Sequence, residues 1–455
     1  MNQELQVIFK NCFSAETLSE CYTHFKLSIK AQPGADKITG KAFGEKLEEN
    51  ARAISKKVLS GNYRFIAYEY SLIPKGPGKI PRKIVRPTIR DKLTLIQLLS
   101  FIRIAFDGEI ENSDLHASIH DVISDVKSRR YGGYVKLDLS SFFASIDQER
   151  LLERLHEKLD GPALRLIRGA IQNGSMPRGG SRKDVLPNQS GVPEGLEISL
   201  ILADFYLSDL RAKLAAAFPD VRYQRYVDDI LCLCTNAEEA QRVLQFLTQT
   251  LEADYALQIN REKSICGSTD ESFGFLGYTF ADGKISVRES SVKKQERRIE
   301  DLFRYARNHP ELPDELFIWR LNLLTCGIIV GRQDVLGGRT HKCYGWLYYY
   351  AQITDVSVLA HLDMVVDALL ERAGKPRTED MKTFRQSYGE IRRKYTDSTY
   401  LLNLERMTGK QKKLFVEKAL GAKVESWDGR QIDAAFHRLL FEDIRRLDLD
   451  VRYEE

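Results

Sequence analysis

The segment Arg225-Tyr226-Val227-Asp228-Asp229-Ile230 places two adjacent aspartates between two strand-like runs. Residues 222–226 and 230–234 predict two short strands, so the aspartates lie at the tip of a β-hairpin. An unpaired carboxylate at such a place is costly unless a cation or another partner satisfies it. Aspartate pairs are also common in ordinary turns, so the doublet by itself leaves a plain turn open.

A third aspartate ends another predicted strand upstream. Residues 131–138, YGGYVKLD, predict a strand that is entered through glycines and ends on Asp138. Three carboxylates brought together are hard oxygen ligands that suit Mg²⁺, with Mn²⁺ as an alternative. Two such ions about 4 Å apart clamp the attacking and leaving oxygens of an in-line phosphoryl displacement. The three acids together therefore suggest phosphoryl transfer.

The composition is that of a globular protein. The chain has 455 residues, of which 43% are hydrophobic and 29% charged, enough for two or three domains with a substantial core. It has no run of about 18 apolar residues, which a membrane-spanning helix needs, and its first residues lack the pattern of a secretory signal. We therefore expect a cytoplasmic protein that does not associate with membranes.

Basic residues are concentrated in a few segments, although the net charge is only +4. Residues 73–92 contain seven basic residues and one acid, residues 284–307 eight and four, and residues 372–394 eight and three. The tail, residues 425–455, reverses the sign with nine acids and five arginines. Separate basic segments favour contact with a polyanion, although solvated helix faces give the same count.

Cysteine and histidine positions argue against a zinc site. The seven cysteines form no Cys-x2-Cys pair, which a zinc ribbon or a thioredoxin-like site would need. Cys232 and Cys234 alternate with leucines and are expected to be small buried residues of a strand. His116 and His120 have helical spacing but lack the glutamate of a zinc protease, so core or surface histidines are the favoured interpretation.

Hydrophobic periodicity predicts an α+β part followed by helices. Helices are expected over residues 1 to about 60, 91–106, 147–159, 197–217 and 237–254. Strands are expected at 63–75, 131–138 and 222–234, with a hairpin at 273–288. Residues 76–81 and 174–195 are rich in glycine and proline and are expected to be loops. From about residue 290 to the end, only helices are expected.

Several segments around the acids occur in a characteristic order. Residues 134–146 (YVKLDLSSFFASI), 190–195 (SGVPEG) and 225–230 (RYVDDI) resemble motifs A, B and C of reverse transcriptases. Residues 257–264 resemble motif D, and residues 275–278 resemble the primer-grip motif E. Residues 34–39, 73–75 and 82–92 are similar to fingers elements of bacterial and group II intron enzymes. The resemblance runs over roughly residues 30–350 and is highly specific.

The resemblance implies catalytic roles for the acids and for residues near them. Asp138 and Asp228 would bind two Mg²⁺ ions, Asp229 would assist, and Leu139 would join the metal-binding set. Lys263 matches the motif D lysine, a candidate for protonating the pyrophosphate leaving group. A solvated lysine is the plain alternative for Lys263.

The resemblance also implies a nucleotide site. Lys75 and Arg82 match fingers residues that hold the incoming triphosphate, and their ammonium and guanidinium groups suit phosphate oxygens. Phe143 matches the steric gate that excludes a 2′-hydroxyl and so selects deoxynucleotides. Core packing is the alternative for Phe143, but neighbouring Phe142 is expected to serve that purpose.

Nucleic-acid contacts are implied at further positions. The primer grip would be formed by Phe275, Leu276, Gly277 and Tyr278. The other expected contacts are basic residues of the fingers and thumb: Lys83, Arg86, Arg90, Lys293, Lys294 and Arg297. The basic helix of the thumb could lie along a duplex backbone, with a solvated amphipathic helix as the alternative.

The chain departs from the family pattern in motif B and in the fingers. Motif B usually reads Pro-Gln-Gly, whereas here Glu194 precedes Gly195, and Glu197 adds a second acid. An ionised carboxylate only accepts hydrogen bonds, whereas an amide also donates, so nucleotide or template handling is expected to differ. Lys83 and Arg86 replace a proline and an apolar residue, and we interpret them as binding a structured RNA.

The implied fold is an α+β right-hand polymerase with fingers, a palm with an antiparallel sheet, a helical thumb and an α-helical C-terminal extension. Residues 1–130 would form N-terminal helices and fingers, and residues 131–287 the palm, with a loop at about 160–190 contributing to the fingers. The thumb would span residues 288–375 and the extension residues 376–455.

The extension indicates a subclass. It lacks the Cys-bearing nuclease of group II intron proteins, and retron enzymes normally stop earlier. With the aromatic run 344–350 (YGWLYYY), it more resembles the defence-associated and abortive-infection reverse transcriptases of bacteria. This resemblance implies two-metal DNA synthesis from dNTPs, with a dedicated noncoding RNA as template, in antiphage defence.

Alternative functions stay open at this point. They are untemplated or protein-primed DNA synthesis, a retron-type or maturase-like RNA-binding enzyme, and a catalytically idle RNA-binding scaffold. Retention of the three aspartates together with Lys263 argues against the scaffold. The expected partners are an RNA template, nascent DNA and dNTPs, and a homo-oligomer or a partner defence protein is left open.

Overall fold

The computed structural model describes residues 1–25, 27, 32–74, 78, 81–110, 115–281, 283–333, 339–394, 396–420, 424 and 426–452. The chain divides into two compact units. The first unit comprises Met1–Asp114 and Tyr131–Ser268, and the second comprises Leu115–Arg130 and Thr269–Glu455. No helix among the described residues combines the length and apolarity needed to cross a membrane.

Helices make up most of the regular structure. In chain order they are α1 Gln3–Cys12, α2 Ala15–His24, α3 Gly40–Gly44, α4 Leu47–Leu59, α5 Ile89–Ala105, α6 Leu115–Lys127, α7 Phe142–Ser145, α8 Gln148–His156, α9 Gly161–Ile171, α10 Ser199–Tyr206, α11 Leu210–Ala217, α12 Ala237–Tyr255, α13 Glu289–Asn308, α14 Asp314–Cys326, α15 Trp346–Tyr349, α16 Ser357–Arg372, α17 Phe384–Lys394, α18 Gly409–Leu420 and α19 Gly429–Arg452.

Strands form four small sheets in the described part of the chain. In chain order they are β1 Tyr68–Ile73, β2 Arg82–Arg86, β3 Gly133–Asp138, β4 Ser175–Pro177, β5 Arg222–Tyr226, β6 Asp229–Cys234, β7 Ile265–Ser268, β8 Phe273–Phe275, β9 Tyr278–Ala281, β10 Lys284–Val287, β11 Ile328–Gln333 and β12 Arg339–Tyr344. Their orders are β2-β1-β4, β5-β6-β3-β7, β10-β9-β8 and β11-β12.

The four-stranded sheet is the centre of the first unit. Its neighbouring strands are all antiparallel, and α12 packs against β3, β6 and β7. Strand β6 is buried along its length, which confirms the prediction for Cys232 and Cys234. Burial raises the pKa of the Cys234 thiol to about 12, so this side chain stays neutral and packs as an apolar group.

The N-terminal helices of the first unit begin at side-chain caps. Asn2, Ser14, Thr39 and Thr88 each accept a hydrogen bond from a backbone N–H in the first turn of the helix that follows. Such caps satisfy donors that a helix start leaves without an internal partner. The predicted helices over residues 1–60 and 91–106 are confirmed as α1, α2, α3, α4 and α5.

The second unit contains the three-stranded sheet β10-β9-β8 and most of the later helices. Its aromatic run after Gly345 is internal, because Trp346, Tyr348, Tyr349 and Tyr350 are all buried. Tyr349 donates from its hydroxyl to the Leu276 carbonyl over 3.0 Å. This run therefore packs against other parts of the protein.

The prediction that only helices follow residue 290 is wrong. Strands β11 and β12 pair antiparallel, from Ile328 opposite Tyr344 to Gln333 opposite Arg339. Residues 328–330 are all β-branched and follow Gly327, which has a positive φ of 65°. β-Branched residues favour extended backbone, so these residues carried a strand signal that the helical pattern around them obscured.

Two other predicted elements have different bounds. The expected helix over residues 197–217 is divided into α10 and α11, with a turn in which Ser208 donates from its backbone N–H to the Phe205 carbonyl. The expected strand over residues 63–75 is shortened to β1. The backbone N–H of Ile66 donates to Asp91, and its carbonyl accepts from Asn173. Because side chains satisfy this backbone, it needs no partner strand.

Candidate active site

The predicted hairpin of the two aspartates is present. Strands β5 and β6 pair antiparallel, with Tyr226 opposite Asp229, so that Val227 and Asp228 form a two-residue turn. Val227 has a φ of 56°, a left-handed conformation that β-branched residues rarely adopt. The doublet therefore lies on a sharply turned backbone at the end of the four-stranded sheet.

The third aspartate lies directly across the sheet from this turn. Asp138, the last residue of β3, is opposite Asp229, the first residue of β6. Directly opposed residues of antiparallel strands have their Cα atoms about 4.5–5.5 Å apart. Three carboxylates from separate parts of the sequence are thus brought to one end of one sheet.

The charges of these acids influence one another. The pKa of Asp228 is raised to about 6, first because burial disfavours its ionised form and further because Asp229 and Asp138 are negative. Arg82 acts in the opposite direction and lowers the pKa of Asp228. Electrostatic coupling of this kind requires proximity, so the three acids and Arg82 share one site in the first unit.

Two lysines provide positive charge beside the acids. Lys263 places Nζ 3.1 Å from Oδ2 of Asp138, and Lys136 places Nζ 3.8 Å from Oδ1 of Asp229. The Lys263 side chain is more than half exposed, so it can leave this position without a large desolvation change. Lys263 is therefore an exposed cation beside one of the carboxylates.

The backbone at Asp138 is held by the segment that resembles motif D. The backbone N–H of Asp138 donates to the Ser264 hydroxyl over 3.2 Å, and its carbonyl accepts from the Asn260 N–H over 2.7 Å. Leu139 forms an isolated bridge with Ile259. These contacts place Lys263 beside Asp138 although 125 residues separate them in sequence.

Among the described residues, no group of three or more carboxylate, imidazole or thiolate side chains is arranged to hold a metal ion as it stands. The donor set still fits a hard divalent cation, because Asp138, Asp228 and Asp229 offer only carboxylate oxygens. The ammonium group of Lys263, already beside Asp138, shows that a cation is favoured there.

The short helix α7, which begins four residues after Asp138, carries a half-buried phenylalanine. Phe142 is buried, whereas Phe143 is only partly buried, and their ring centroids lie 5.6 Å apart. The Phe143 carbonyl accepts from the backbone N–H of Val192 over 2.7 Å. A Cβ atom on Gly191 would lie 2.6 Å from the same carbonyl oxygen, so α7 and the motif B segment are in close backbone contact.

The unusual acid of motif B is paired with the predicted triphosphate-binding arginine. The Nε atom of Arg82 lies 2.9 Å from Oε2 of Glu194. The Glu194 carbonyl also accepts from the Val85 N–H over 2.8 Å. Gly195 has a φ of 106°, and a Cβ atom there would lie 2.4 Å from the Val85 carbonyl oxygen. The motif B turn is therefore packed against strand β2.

The second unusual acid has its own basic partner. Glu197 Oε1 lies 2.5 Å from Nζ of Lys92, near the start of α5. The two glutamates of this segment are therefore matched by a basic residue each, Arg82 and Lys92. Their negative charge is largely balanced within the first unit.

The other predicted fingers residues differ in their surroundings. Lys75 lies outside the described residues. Lys83 is exposed and places Nζ 4.6 Å from the centroid of the Tyr70 ring, and burial of part of its stem lowers its pKa. Arg86 is opposite Glu69 in the β1–β2 ladder. Because side chains alternate along a strand, Lys83 and Arg86 project from opposite faces of β2.

Most contacts of the Arg90 side chain are with other residues of the first unit. Its Nη2 atom donates to Oδ1 of buried Asp91 over 2.9 Å and to the Arg64 carbonyl over 2.7 Å. Its guanidinium carbon lies 5.0 Å from the centroid of the Tyr63 ring. A contact of Arg90 with nucleic acid stays a prediction.

The remaining predicted positions belong to the second unit. Phe275, Leu276 and Tyr278 are buried, and the turn between β8 and β9 has positive φ angles of 47° at Leu276 and 76° at Gly277. The basic residues of α13 point away from its buried face, so that three predicted contacts are exposed: Lys293, Lys294 and Arg297. Of these, Lys293 pairs with Glu289 one turn earlier on the helix.

Sequence reasoning did not identify three side chains of the first unit that contact the site segments. They are Lys136, which faces Asp229, and the buried ion pair of Arg225 with Asp204. The sequence signal that could have identified them is a charged residue among apolar neighbours. Lys136 lies within a buried strand, and Arg225 lies in the strand that precedes the aspartate doublet. Buried charges are rare unless they are paired.

Comparison with known proteins supports the interpretation of the motifs. Residues 73–280 match the family described as reverse transcriptase (RNA-dependent DNA polymerase). No curated protein sequence shows significant similarity to the chain. Over residues 73–280, which include the antiparallel sheet and its acids, the chain has a reverse transcriptase-like polymerase fold of mixed α+β content.

Two solved telomerase structures are similar to the chain at low identity. Apo telomerase from Candida tropicalis, truncated from its C-terminal domain, is 15% identical over 49% of this chain and 55% of that chain, with a TM-score of 0.40. Telomerase from Candida albicans in complex with a TWJ fragment of telomeric RNA is 13% identical over 91% of this chain and 68% of that chain, with a TM-score of 0.42. The chain thus spans about half of the first of these structures.

Proposed function

Taking residues 73–280 as a reverse transcriptase domain, we propose that this chain synthesises DNA from deoxynucleoside triphosphates on an RNA template. The observation that carries the proposal is the position of Asp138 directly opposite Asp229, with Asp228 in the adjoining turn. Three carboxylates from two separate segments meet at the end of one sheet, where nucleotidyl transfer needs them.

The three acids would hold two divalent cations, Mg²⁺ or Mn²⁺. When bound, these cations supply Lewis acidity and charge neutralisation at the reacting phosphate. The protein's own part is to position the acids: the β3–β6 ladder sets Asp138 against Asp229, and the Asn260 and Ser264 contacts hold the backbone at Asp138. Leu139, held by its bridge to Ile259, would join this set.

The nucleotide would lie between the acids and the β2 surface. Arg82 is near enough to influence Asp228 electrostatically, and its guanidinium suits triphosphate oxygens. Lys75 is proposed as a second triphosphate contact. Phe143 would exclude a ribose 2′-hydroxyl, because it is the less buried of the two aromatic residues of α7. Lys263 would protonate the pyrophosphate leaving group.

The test is incorporation of labelled dNTPs on a primed RNA template, with Mg²⁺ and with EDTA. We expect metal-dependent extension by the wild-type protein and its loss in Asp228→Asn. Glu252→Gln, on the exposed face of α12, removes one negative charge elsewhere and should leave extension unchanged. Equal extension by the wild-type protein and Asp228→Asn would rule out the proposed chemistry.

The proposal extends to the template and to the biological role. We propose that the template is a dedicated noncoding RNA and that the cytoplasmic enzyme serves antiphage defence. The resemblance of the region after residue 344 to defence-associated enzymes supports this role. Sequencing the nucleic acid that copurifies with the protein would identify template and product. A mixture of cellular RNAs without enrichment would contradict a dedicated template.

Related experiments distinguish the other modes of DNA synthesis from RNA-templated synthesis. Extension without added RNA would indicate untemplated synthesis, and a nucleotide adduct on a tyrosine, detected by mass spectrometry, would indicate protein priming. RNA binding without dNTP incorporation would indicate a maturase-like or scaffold protein. Light scattering of the purified protein would show whether it forms a homo-oligomer.

A further inference from the structure

A fully buried arginine lies two residues before the catalytic turn. The Arg225 side chain, on strand β5, is only 1% exposed. Its Nη1 atom lies 2.8 Å from Oδ1 of Asp204 and donates over 3.2 Å to the carbonyl oxygen of Val227. One guanidinium group thus contacts both a carboxylate and the backbone of the turn that carries Asp228.

The turn that this arginine contacts has a strained backbone. Val227 has a φ of 56°, and a β-branched residue in the left-handed region is held there only by its surroundings. A hydrogen bond to the carbonyl of Val227 fixes the peptide group between Val227 and Asp228. The direction of that peptide determines where the Asp228 side chain points.

The carboxylate partner connects the turn to the motif B segment. Asp204 lies on α10, which follows the motif B turn. The first residue of this helix, Ser199, donates from its hydroxyl to the Pro193 carbonyl over 2.6 Å. The guanidinium of Arg225 also reaches the Asp204 carbonyl, over 3.4 Å. The pair therefore joins the two segments that the proposed function assigns to nucleotide and metal.

We infer that Arg225 and Asp204 are positioning residues, which hold the Val227–Asp228 peptide so that Asp228 and Asp229 are presented toward Asp138. The inference rests on the proposed function and deepens it. A buried ion pair adds little stability compared with apolar side chains of similar size. What the pair supplies here is direction, because the planar guanidinium donates along fixed lines.

The decisive experiment replaces both charges at once. Arg225→Met with Asp204→Leu removes the contact to Val227 without leaving a lone buried charge, so the fold is expected to survive. We expect kcat for dNTP incorporation to fall about tenfold to a hundredfold, as for an active-site misplacement of about 1 Å. The KM for the dNTP should change less than about threefold, because neither residue is proposed to touch the nucleotide.

A control removes a more exposed arginine–aspartate pair elsewhere in the first unit. Arg154 pairs with Asp209 at 2.7 Å and also donates to a backbone carbonyl, that of Tyr206. Arg154→Met with Asp209→Leu should lower the melting temperature but leave kcat within about twofold of the wild-type value. A double variant at Arg225 and Asp204 that folds and keeps wild-type kcat would overturn the inference.

Two further measurements keep the inference testable whatever the first result. If the double variant does not fold, Arg225→Lys decides, because a lysine keeps the charge but not the planar fork; wild-type kcat in this variant would overturn the inference. Mn²⁺ binding, measured by calorimetry, does not depend on dNTP incorporation. We expect the folded variant, either the double variant or Arg225→Lys, to bind Mn²⁺ about tenfold more weakly than the wild-type protein. If the wild-type protein incorporates no dNTP, the proposed function fails, and unchanged Mn²⁺ binding would then also overturn the positioning role.

Discussion

The Nε atom of Arg82 lies 2.9 Å from Oε2 of Glu194, so the arginine proposed to receive the triphosphate already has an anionic partner. Both residues keep about a quarter or less of their side chain exposed. The backbone around them is also joined, because the Val85 N–H donates to the Glu194 carbonyl. A nucleotide that uses Arg82 therefore has to compete with a carboxylate that the fold keeps in place.

Glu194→Gln is expected to lower the KM for dNTPs about fivefold. The amide keeps the shape of the side chain but removes the negative charge that competes for Arg82. An ion pair worth about 1 kcal/mol corresponds to an effect of this order. Steady-state incorporation at saturating primer and template, with each dNTP varied in turn, measures the change.

The control for this prediction is Glu197→Gln, which removes the neighbouring charge that pairs with Lys92. Lys92 is not proposed to bind the triphosphate, so its release should change the KM less than about twofold. A higher KM in Glu194→Gln than in the wild-type protein would mean that the carboxylate orients Arg82 rather than competing for it.

Asp228→Asn is expected to stabilise the metal-free protein at neutral pH. The pKa of Asp228 is raised from 3.8 to about 6, so the folded state disfavours the ionised form, and at pH 7 this costs about 3 kcal/mol. The cost is fully present above pH 6 and falls as the pH drops through 6 toward 3.8, because below 3.8 the acid is protonated in both states. Urea unfolding in EDTA should show the gain at pH 7 and a much smaller gain at pH 4.

In the presence of a divalent metal, the wild-type protein should become more stable than Asp228→Asn. Mg²⁺ or Mn²⁺ would relieve the repulsion among the three acids in the wild-type protein and raise its melting temperature, because ligands that bind the folded state stabilise it. Asp228→Asn should gain much less from either cation. Equal thermal shifts in the two proteins would show that the metal binds elsewhere.

Lys263→Ala is expected to lower kcat without weakening the binding of metal. The lysine contacts Asp138 directly, so its removal leaves that carboxylate free for a cation, and Mn²⁺ affinity should stay the same or rise. Loss of a general acid typically costs about a hundredfold in rate. Arg261→Ala, an exposed position in the same turn, serves as the control. Weaker Mn²⁺ binding in Lys263→Ala would contradict a role confined to the leaving group.

Gly195→Ala is expected to lower the free energy of unfolding by about 2 kcal/mol or more, because Gly195 has a positive φ and no space for a Cβ. That atom would lie 2.4 Å from the Val85 carbonyl oxygen. Gly169→Ala, inside α9, meets only ordinary contacts with Phe65 at 3.6 Å, and should gain about 0.5–1 kcal/mol. Urea unfolding measures both, and similar stability of the two variants would contradict the close packing at β2.

The elements that carry the acids could be predicted from the sequence because their signals are local. A strand that ends on Asp138 and a hairpin around Asp228 depend on residues within a few positions of each acid. Their meeting was implied by the order of the motifs, and the structure places Asp138 opposite Asp229. The helices α5 and α12 were predicted within about two residues for the same reason.

The partners of the charged residues could not be predicted, because they depend on packing across long distances in sequence. Arg82 and Glu194 are 112 positions apart, and nothing near either residue indicates the other. The pair of Arg225 and Asp204 depends on how α10 packs against the turn. The β11–β12 hairpin was missed for a different reason, since its β-branched run is short and lies between strong helical patterns.

Reversing two charges on α13 is expected to weaken binding of an RNA–DNA duplex. Lys294 and Arg297 are exposed and three positions apart, so they lie on one face of the helix. If both residues contact phosphates, log K for duplex binding should depend less steeply on log salt concentration in Lys294→Glu with Arg297→Glu. The magnitude of this slope should decrease by about 2. Lys56→Glu with Lys57→Glu, on the exposed face of α4, changes the net charge equally and should leave the slope unchanged. Equal loss in both double variants would show that net charge, rather than this helix, governs binding.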